Sequence, residues 1–381
     1  MHKLSTLGWA IWMSMVAATC AAEEKSGAVT PATLANWGGE TLAKIDSAFY
    51  MPERGLYALE SGAGVKRQRP AWVWDASIEL GALCAAARME PKTYLPRVKA
   101  YAAGLRTYRT TYHDRPGLDV NPPPKTPDRY YDDNAWICLS LLEAYELTGD
   151  EKDLALAMDA YNFLMSGEDA STLGGGIYWH EDQTRTKNAC SSGPAMVASL
   201  KLYEMTGEGK YLDAVKRLYA WTRAHLQDED GLVFDSIATA DGAINRQKFT
   251  YNSATLLRAA CALYMASGEK TYLEEAQRIA RAAEWRFVRQ GDGIIVGAGK
   301  LGVKLVEAFL AMYDVDGDEH WRQVVGRCLV TLRQKRGAEG WYPQAWQRPE
   351  AAAGKEPVRL IDQAAPARAY WVAAEHGVEV R

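Results

Sequence analysis

Three stretches set the architecture: Leu141-Leu-Glu-Ala-Tyr-Glu-Leu-Thr-Gly-Asp150, Leu200-Lys-Leu-Tyr-Glu-Met-Thr-Gly-Glu208 and Cys261-Ala-Leu-Tyr-Met-Ala-Ser-Gly-Glu269. Each reads as the end of a helix closed by a glycine, the residue that adopts a left-handed backbone without a Cβ clash. Their glycines, Gly149, Gly207 and Gly268, are 58 and 61 residues apart. Behind each, a new apolar-periodic segment starts at once, at Leu154, Tyr211-Leu212 and Tyr272-Leu273. A fainter copy lies at Tyr94-Leu95 and another at Val315-Asp-Gly317. A unit of two helices repeated along the chain predicts six helical hairpins.

Helix patterns extend this to twelve segments, near 31–49, 72–88, 92–112, 132–148, 151–166, 188–206, 209–226, 248–267, 270–288, 299–314, 318–335 and 358–376. Short turns alternate with long loops at 50–71, 113–131, 167–187, 227–247, 289–298 and 336–357. Segments after short turns carry one apolar stripe, such as Leu212, Val215, Leu218 and Trp221 opposed by Asp213, Lys216, Arg217 and Arg223. Segments after long loops, such as Ala135-Trp-Ile-Cys-Leu-Ser-Leu-Leu142, are apolar nearly all round. An inner ring buried on every side within an outer ring buried on one side is an all-α (α/α)6 barrel. All the long loops then lie on one face with the inner-helix N-termini, where a cleft forms. No alternating run is long enough to predict a substantial sheet.

The 381 residues, 48% of them hydrophobic, suffice for a large core and exclude a disordered or disulfide-scaffold chain. Net charge is −4, without a basic stripe, which argues against nucleic acid as a partner. The chain is rich in Trp (13) and Tyr (20) against 6 Phe, rings with a polar tip that suit carbohydrate clefts as well as helix packing. At the start, Lys3, the apolar run Leu7 to Ala18 and the small residues to Ala22 form a secretory pattern, with Cys20 as an alternative lipid attachment point. The division expected is a signal peptide over 1–22, a linker over 23–30 and one catalytic domain over 31–381. Export to the periplasm or medium follows, with no transmembrane helix and a monomeric state. Five cysteines remain, Cys84, Cys138, Cys190, Cys261 and Cys328, without metal spacing and inside apolar helices, so they read as buried core. No histidine pair has ligand spacing and Asp314-Val-Asp-Gly-Asp318 lacks a distal Glu; the expectation is no metal and no cofactor.

Candidate site residues are those at inner-helix starts: Trp72, Trp74 and Asp75; Tyr130 to Asn134; Lys187 and Asn188; Tyr251 and Asn252; Lys300; Asp362 and Gln363. The loops add Tyr178, Trp179, Asp235, Trp341, Tyr342 and Trp346. Aromatic platforms with short acids and amides suit a sugar site. Asp132-Asp133 is the sharpest signal. Read on spacing alone, helix capping accounts for it at least as well as chemistry does. A cap needs only one carboxylate, however, and two adjacent ones repel and separate their pKa values into an ionised and a protonated group. Neighbouring Cα atoms lie about 3.8 Å apart, compatible with the ~5–5.5 Å carboxyl separation of retaining glycosidases.

Tyr131-Asp-Asp-Asn-Ala-Trp136, Leu141-Leu-Glu-Ala-Tyr145, Gly174-Gly-Gly-Ile-Tyr-Trp179, Lys187-Asn188, Asp230-Gly-Leu-Val-Phe-Asp235 and Thr250-Tyr-Asn252 together resemble glycoside hydrolase family 76. The resemblance runs in order from about residue 70 to 285. It implies an (α/α)6 endo-α-1,6-mannanase, retaining configuration, that acts on mannan or mannooligosaccharides without a cofactor. It further implies Asp132 as nucleophile, Asp133 as general acid/base, and Trp179, Asn188, Asp235, Tyr251 and Asn252 in the sugar subsites. Trp74, Asp75 and Tyr131 join the substrate-binding set by their places at inner-helix starts. Ala298-Gly-Lys-Leu-Gly302 and the last loop depart from the family pattern. Two other enzymes share the barrel. An epimerase wants histidine bases at its centre, and an unsaturated-uronide hydrolase wants a basic clamp, for which Lys187, Lys300 and Arg359 stand available. A non-catalytic glycan-binding relative is the third alternative.

Overall fold

The computed structural model describes residues 28–122, 127–349 and 356–380. The proposed secretory segment, with Cys20, lies outside them. Twelve α-helices run through the described residues. The inner ring consists of α2 (Val73–Met89), α4 (Tyr131–Thr148), α6 (Ala189–Thr206), α8 (Thr250–Ser267), α10 (Gly299–Asp316) and α12 (Leu360–Glu375). Each packs on the next and α12 packs back on α2, which closes the ring. Outside them lie α1 (Pro31–Phe49), α3 (Pro91–Leu105), α5 (Glu151–Met165), α7 (Gly209–His225), α9 (Lys270–Phe287) and α11 (Glu319–Gln334). Five hairpins are sequential, but the sixth joins α12 to α1 from opposite ends of the described chain. Val29 and Val380 pair as an antiparallel bridge beside that joint.

The sequence patterns explain the two rings. In α12 every residue from Leu360 to Ala374 is buried, whereas α9 buries only Glu275, Ala276, Ile279, Ala280, Ala283 and Phe287. Gly149, Gly207, Gly268 and Gly317 follow the inner helices with φ of +66°, +70°, +71° and +67°. These left-handed turns let the chain reverse within two residues. The five cysteines are buried and free. No helix of the described residues is long and apolar enough to cross a membrane.

Two expectations need correction. A four-stranded antiparallel sheet, β1 (Tyr178–His180), β2 (Gln183–Asn188), β3 (Phe234–Ala238) and β4 (Ile244–Lys248), joins two of the long loops in that order. Lys187 stands opposite both Tyr178 and Ile237. The sheet is not legible in the sequence because its longest strand, β2, is exposed over its first half and lacks an apolar alternation. The helix predicted over 92–112 ends at Leu105; a 3-10 turn over Arg106–Tyr108 follows, and Arg109–Tyr112 pairs with Arg115–Leu118.

At the C-terminal end of the inner ring the barrel is closed by charge. Arg368 of α12 donates to both oxygens of Glu143 on α4, at 2.8 and 3.1 Å, and to Glu307 on α10. Arg88 and Arg258 complete the cluster. Burial alone would raise the carboxyl pKa values, but Arg368 together with Lys304, Arg258 and Arg88 outweighs it and holds Glu307 at about 2, with Glu143 likewise below its ordinary value. A carboxyl whose folded pKa is depressed stabilises the fold above its unfolded pKa and loses that contribution on acidification. Arg368→Met removes the main counter-charge of two buried carboxylates, and unfolding free energy at neutral pH is expected to drop by about 3–5 kcal/mol. Denaturant titrations should show this deficit shrinking on acidification from neutrality toward about pH 2, because burial raises the variant's carboxyl pKa values and they take up protons while Glu307 of the wild type stays ionised.

Candidate active site

The first turn of α4 presents Asp132 and Asp133 at the opposite end of the barrel, on the long-loop face. Tyr130 is the residue before the helix, in extended backbone, and its side chain makes no cap. Neither carboxylate is therefore simply the N-cap, and both lie where the helix N-terminus favours negative charge. Trp179, on β1, donates its indole N–H to Asp132 Oδ2 at 3.2 Å. Oδ1 of Asp132 is buried without a conventional hydrogen bond. The Cys190 thiol, a weak donor, lies beside the same carboxylate.

The two acids have unlike surroundings. Burial pushes Asp132 up to about 6, and Trp179, the Asp133 backbone N–H and Cys190 oppose that rise. Asp133 is pushed well above the ordinary carboxylate range, by burial first and then by the charges of Asp132, Asp75, Asp128 and Asp119. Around neutrality this arrangement holds an ionised Asp132 beside a protonated Asp133. Acid–base and nucleophilic chemistry at one carbon needs that combination.

A cavity of about 410 Å³ opens beside the pair. Trp72, Trp74, Tyr130 and Trp179 supply aromatic walls, and Asn121 and Asp128 supply polar ones. Trp72 and Trp179 are 40% and 42% exposed, large for indoles and suited to stacking on sugar C–H faces. On the other side of Asp132, Cys190 faces Tyr251 and Asp235. Asn252 lies beside Asp235, yet neither of its amide atoms makes a hydrogen bond of ordinary geometry. Buried polar atoms are nearly always paired, so orphans gathered at a cleft mark where a polar ligand completes them. Asp235 accepts from Ser236 and Asn245, and Asn188 accepts from Thr186 Oγ1 at 2.8 Å.

The structure thus brings together Asp132, Asp133, Trp74 and Trp179 on one side, and Asp235, Tyr251 and Asn252 on the other, with Asn188 in the neighbouring strand. Asp75 and Tyr131 are buried. Asp75 is fully buried and accepts from Arg359 at 3.0 Å. Tyr131 is buried and stacks on Phe163. Lys187 is internal, its ammonium spent on the carbonyls of Asp169, Thr172 and Gly175, so it forms no clamp for a uronate. Lys300 stands 4.5 Å from the Trp74 ring and Arg359 4.8 Å from that of Trp72. Tyr342 and Trp346 are buried packing residues, and Trp341 packs edge-on against Phe49. Trp136 is buried below the acids against Lys304.

Two residues beside the acids escaped the sequence reading. Cys190 opens α6 and obeys the same inner-helix-start rule as the others, but was grouped with the buried cysteines. Asp128 sits in a Pro-rich loop, which gives no local signal.

Comparison with known proteins bears on this geometry. The model of glycosyl hydrolase family 76 matches residues 49–299. The barrel superposes on the GH76 α-mannanase BT2949 of Bacteroides thetaiotaomicron with a TM-score of 0.82 and 27% identity, covering 90% of this chain and 95% of that one. For the GH76A α-1,6-mannanase of Salegentibacter sp. HEL1_6 the TM-score is 0.76 and the identity 25%, over 90% and 99% of the two chains. A Schizosaccharomyces pombe protein, named as a candidate mannan endo-1,6-α-mannosidase, is 27% identical over 146 residues. That match covers 35% of this chain, which spans about a third (33%) of the length of that curated relative.

The Trp179 contact yields a direct test. A donor to an ionised carboxylate lowers its pKa, so its loss raises it. In Trp179→Phe, carbon-13 titration of the carboxyls should move the deprotonation of Asp132 upward by about one unit. An unmoved midpoint would mean that the indole N–H does not stabilise the charged form.

Proposed function

The chain belongs to glycosyl hydrolase family 76, and from that premise we propose that it is an endo-acting hydrolase of α-1,6-mannosidic linkages that retains anomeric configuration. The observation that carries this reading is the adjacent acid pair in the first turn of α4, both members lining the cleft and set in unlike surroundings, Asp132 beside the Trp179 indole N–H and Asp133 among further acids. Asp132 attacks the anomeric carbon while Asp133 protonates the departing glycosidic oxygen. Asp133, now ionised, takes a proton from water, which releases the sugar from Asp132 and restores both groups.

Two further points support it. The Salegentibacter enzyme has an inactive variant, with two adjacent aspartates changed to asparagine, that was captured with α-1,6-mannotriose. The open cleft between aromatic walls and the orphaned Asn252 amide suits an internal stretch of a neutral polysaccharide. Trp74, Trp179, Asn188, Asp235, Tyr251 and Asn252 form the sugar subsites in this reading, with Asp75 acting through Arg359. Enzymes of the family generally work outside the cytoplasm, which fits the secretory pattern of residues 1–22.

Protein lacking residues 1–22, incubated with linear α-1,6-mannan, should release short mannooligosaccharides resolvable by chromatography. Asp132→Asn should lower that rate at least about 10³-fold. A folded wild type that leaves the mannan intact would sink the reading. The rate should trace a bell in pH. It falls as acid protonates Asp132 near 6, and falls again in alkali as Asp133 loses its proton. A profile flat through pH 6 would separate Asp132 from the nucleophilic role.

A further inference from the structure

The unlike neighbours of the two acids give the cleft a direction. Beside Asp132 stand Trp179 and Cys190, and beyond Cys190 lie Tyr251 and Asp235. Asp133 instead feels Asp75, Asp128 and Asp119. In a retaining reaction the nucleophile lies under the anomeric carbon of the sugar that stays, and the acid lies beside the oxygen that leaves. With the roles proposed above, on which this inference rests, the retained sugar occupies the α6, α8 and β3 side. The departing sugar occupies the part of the cavity walled by Trp72, Trp74, Asn121 and Asp128, a cavity that Asp132, Asp133 and Trp179 also line.

Asp128 is built for a task in that cavity. Its side chain is 56% exposed, while the backbone carrying it is fixed from both sides. Its N–H donates to the buried Asp119 Oδ2 at 2.8 Å. The next residue, Arg129, is buried and pairs in bidentate fashion with Glu181, at 2.6 and 2.8 Å. Tyr130 forms a bridge with His180 and packs edge-on against its ring. His180 Nε2 lies 3.0 Å from Asp128 Oδ1. The tautomer follows from its other nitrogen: Nδ1 accepts the Asp182 N–H at 3.1 Å, so the ring proton sits on Nε2 and is donated to Asp128. A histidine spent on fixing an open carboxylate sets that carboxylate's orientation toward whatever fills the cavity.

We propose that Asp128, oriented by His180, binds adjacent hydroxyls of the mannose on the leaving-group side of the scissile bond. Two carboxylate oxygens match a vicinal diol, and a hydrogen bond to a charged acceptor outweighs one between neutral groups. Such contact holds the departing sugar while Asp133 delivers its proton, and favours cleavage inside a chain over cleavage next to a non-sugar group.

The test compares two substrates. α-1,6-Mannotetraose places a sugar in the leaving-group subsite; an aryl α-1,6-mannobioside places a nitrophenol there and no sugar. For Asp128→Ala, the ratio of kcat/KM on the tetraose to that on the aryl glycoside should fall about tenfold or more, with KM for the tetraose raised. Asp128→Asn, which keeps one acceptor oxygen, should fall between, and His180→Gln should lower the ratio in the same direction. The loss should persist at the acid end of the pH profile, where Asp133 is protonated in every variant. An unchanged ratio overturns the proposal. So does a loss confined to the alkaline limb, because Asp128 would then act only on the Asp133 proton. Turnover of the aryl glycoside reports whether each variant is folded. A wild type inert on both substrates overturns the hydrolase reading itself and this inference with it.

Discussion

One guanidinium holds the inner ring together. Arg368 reaches from α12 to Glu143 on α4 and Glu307 on α10, and it passes against α2 at Gly81, where a Cβ would stand 2.2 Å from its Nη1. Four of the six inner helices thus meet one side chain, and Gly81 is the residue that leaves room for it. A largely buried ion cluster is costly to desolvate and tolerates little displacement, so it fixes the relative positions of these helices more than it adds net stability. Lys304, one turn from Glu307, lies 3.6 Å from that carboxylate and 4.6 Å from the Trp136 ring. Trp136 in turn belongs to the turn of α4 that follows the acids. The charged end and the reactive end of the barrel are therefore joined through a single buried indole.

That frame explains how two adjacent carboxylates can stand in unlike environments. On an α-helix, successive residues point about 100° apart, so Asp132 and Asp133 face different neighbours although they are consecutive in the chain. Asp132 meets donors from β1 and the α6 start, and Asp133 meets the acids of α2 and the 119–128 loop. A rigid ring turns a sequence neighbourhood into two electrostatic compartments. If α2 or α6 could shift freely, the acids would relax toward water and toward each other's pKa.

How much of this was legible follows the same physics. The hairpin repeat was readable because a helix reversing within two residues needs a left-handed backbone, and glycine supplies it at Gly149, Gly207, Gly268 and Gly317. The inner and outer rings were readable because burial on all sides and burial on one side leave different periodicities. The sheet was not, since β2 and β3 come from loops about fifty residues apart, and their pairing is carried by backbone groups rather than by an apolar alternation. Position along an inner helix is legible in the sequence and direction around it is not: Asp132 and Trp74 line the cleft, while Tyr131 and Asp75, each one residue away, are buried. Asp128 depends wholly on tertiary contacts, with Asp119 and His180, and no local pattern could announce it.

The inward turn of Asp75 has its own consequence for the cleft. Its carboxylate, raised to about 6 by burial against the pull of Arg359 and Lys300, anchors the Arg359 guanidinium. Arg359 lies over the ring of Trp72, and Lys300 lies over that of Trp74. A cation against one face of an indole is attracted to its quadrupole and restrains the ring. The Trp72 and Trp74 rings are therefore held by side chains drawn from α10 and from the segment before α12, far from α2 in sequence. On the opposite side of the acids the polar groups are held instead by the sheet and by α8. The two halves of the cleft thus draw their support from different parts of the chain, the Trp72 and Trp74 side from Lys300 and Arg359 and the Asp235 side from the sheet and α8.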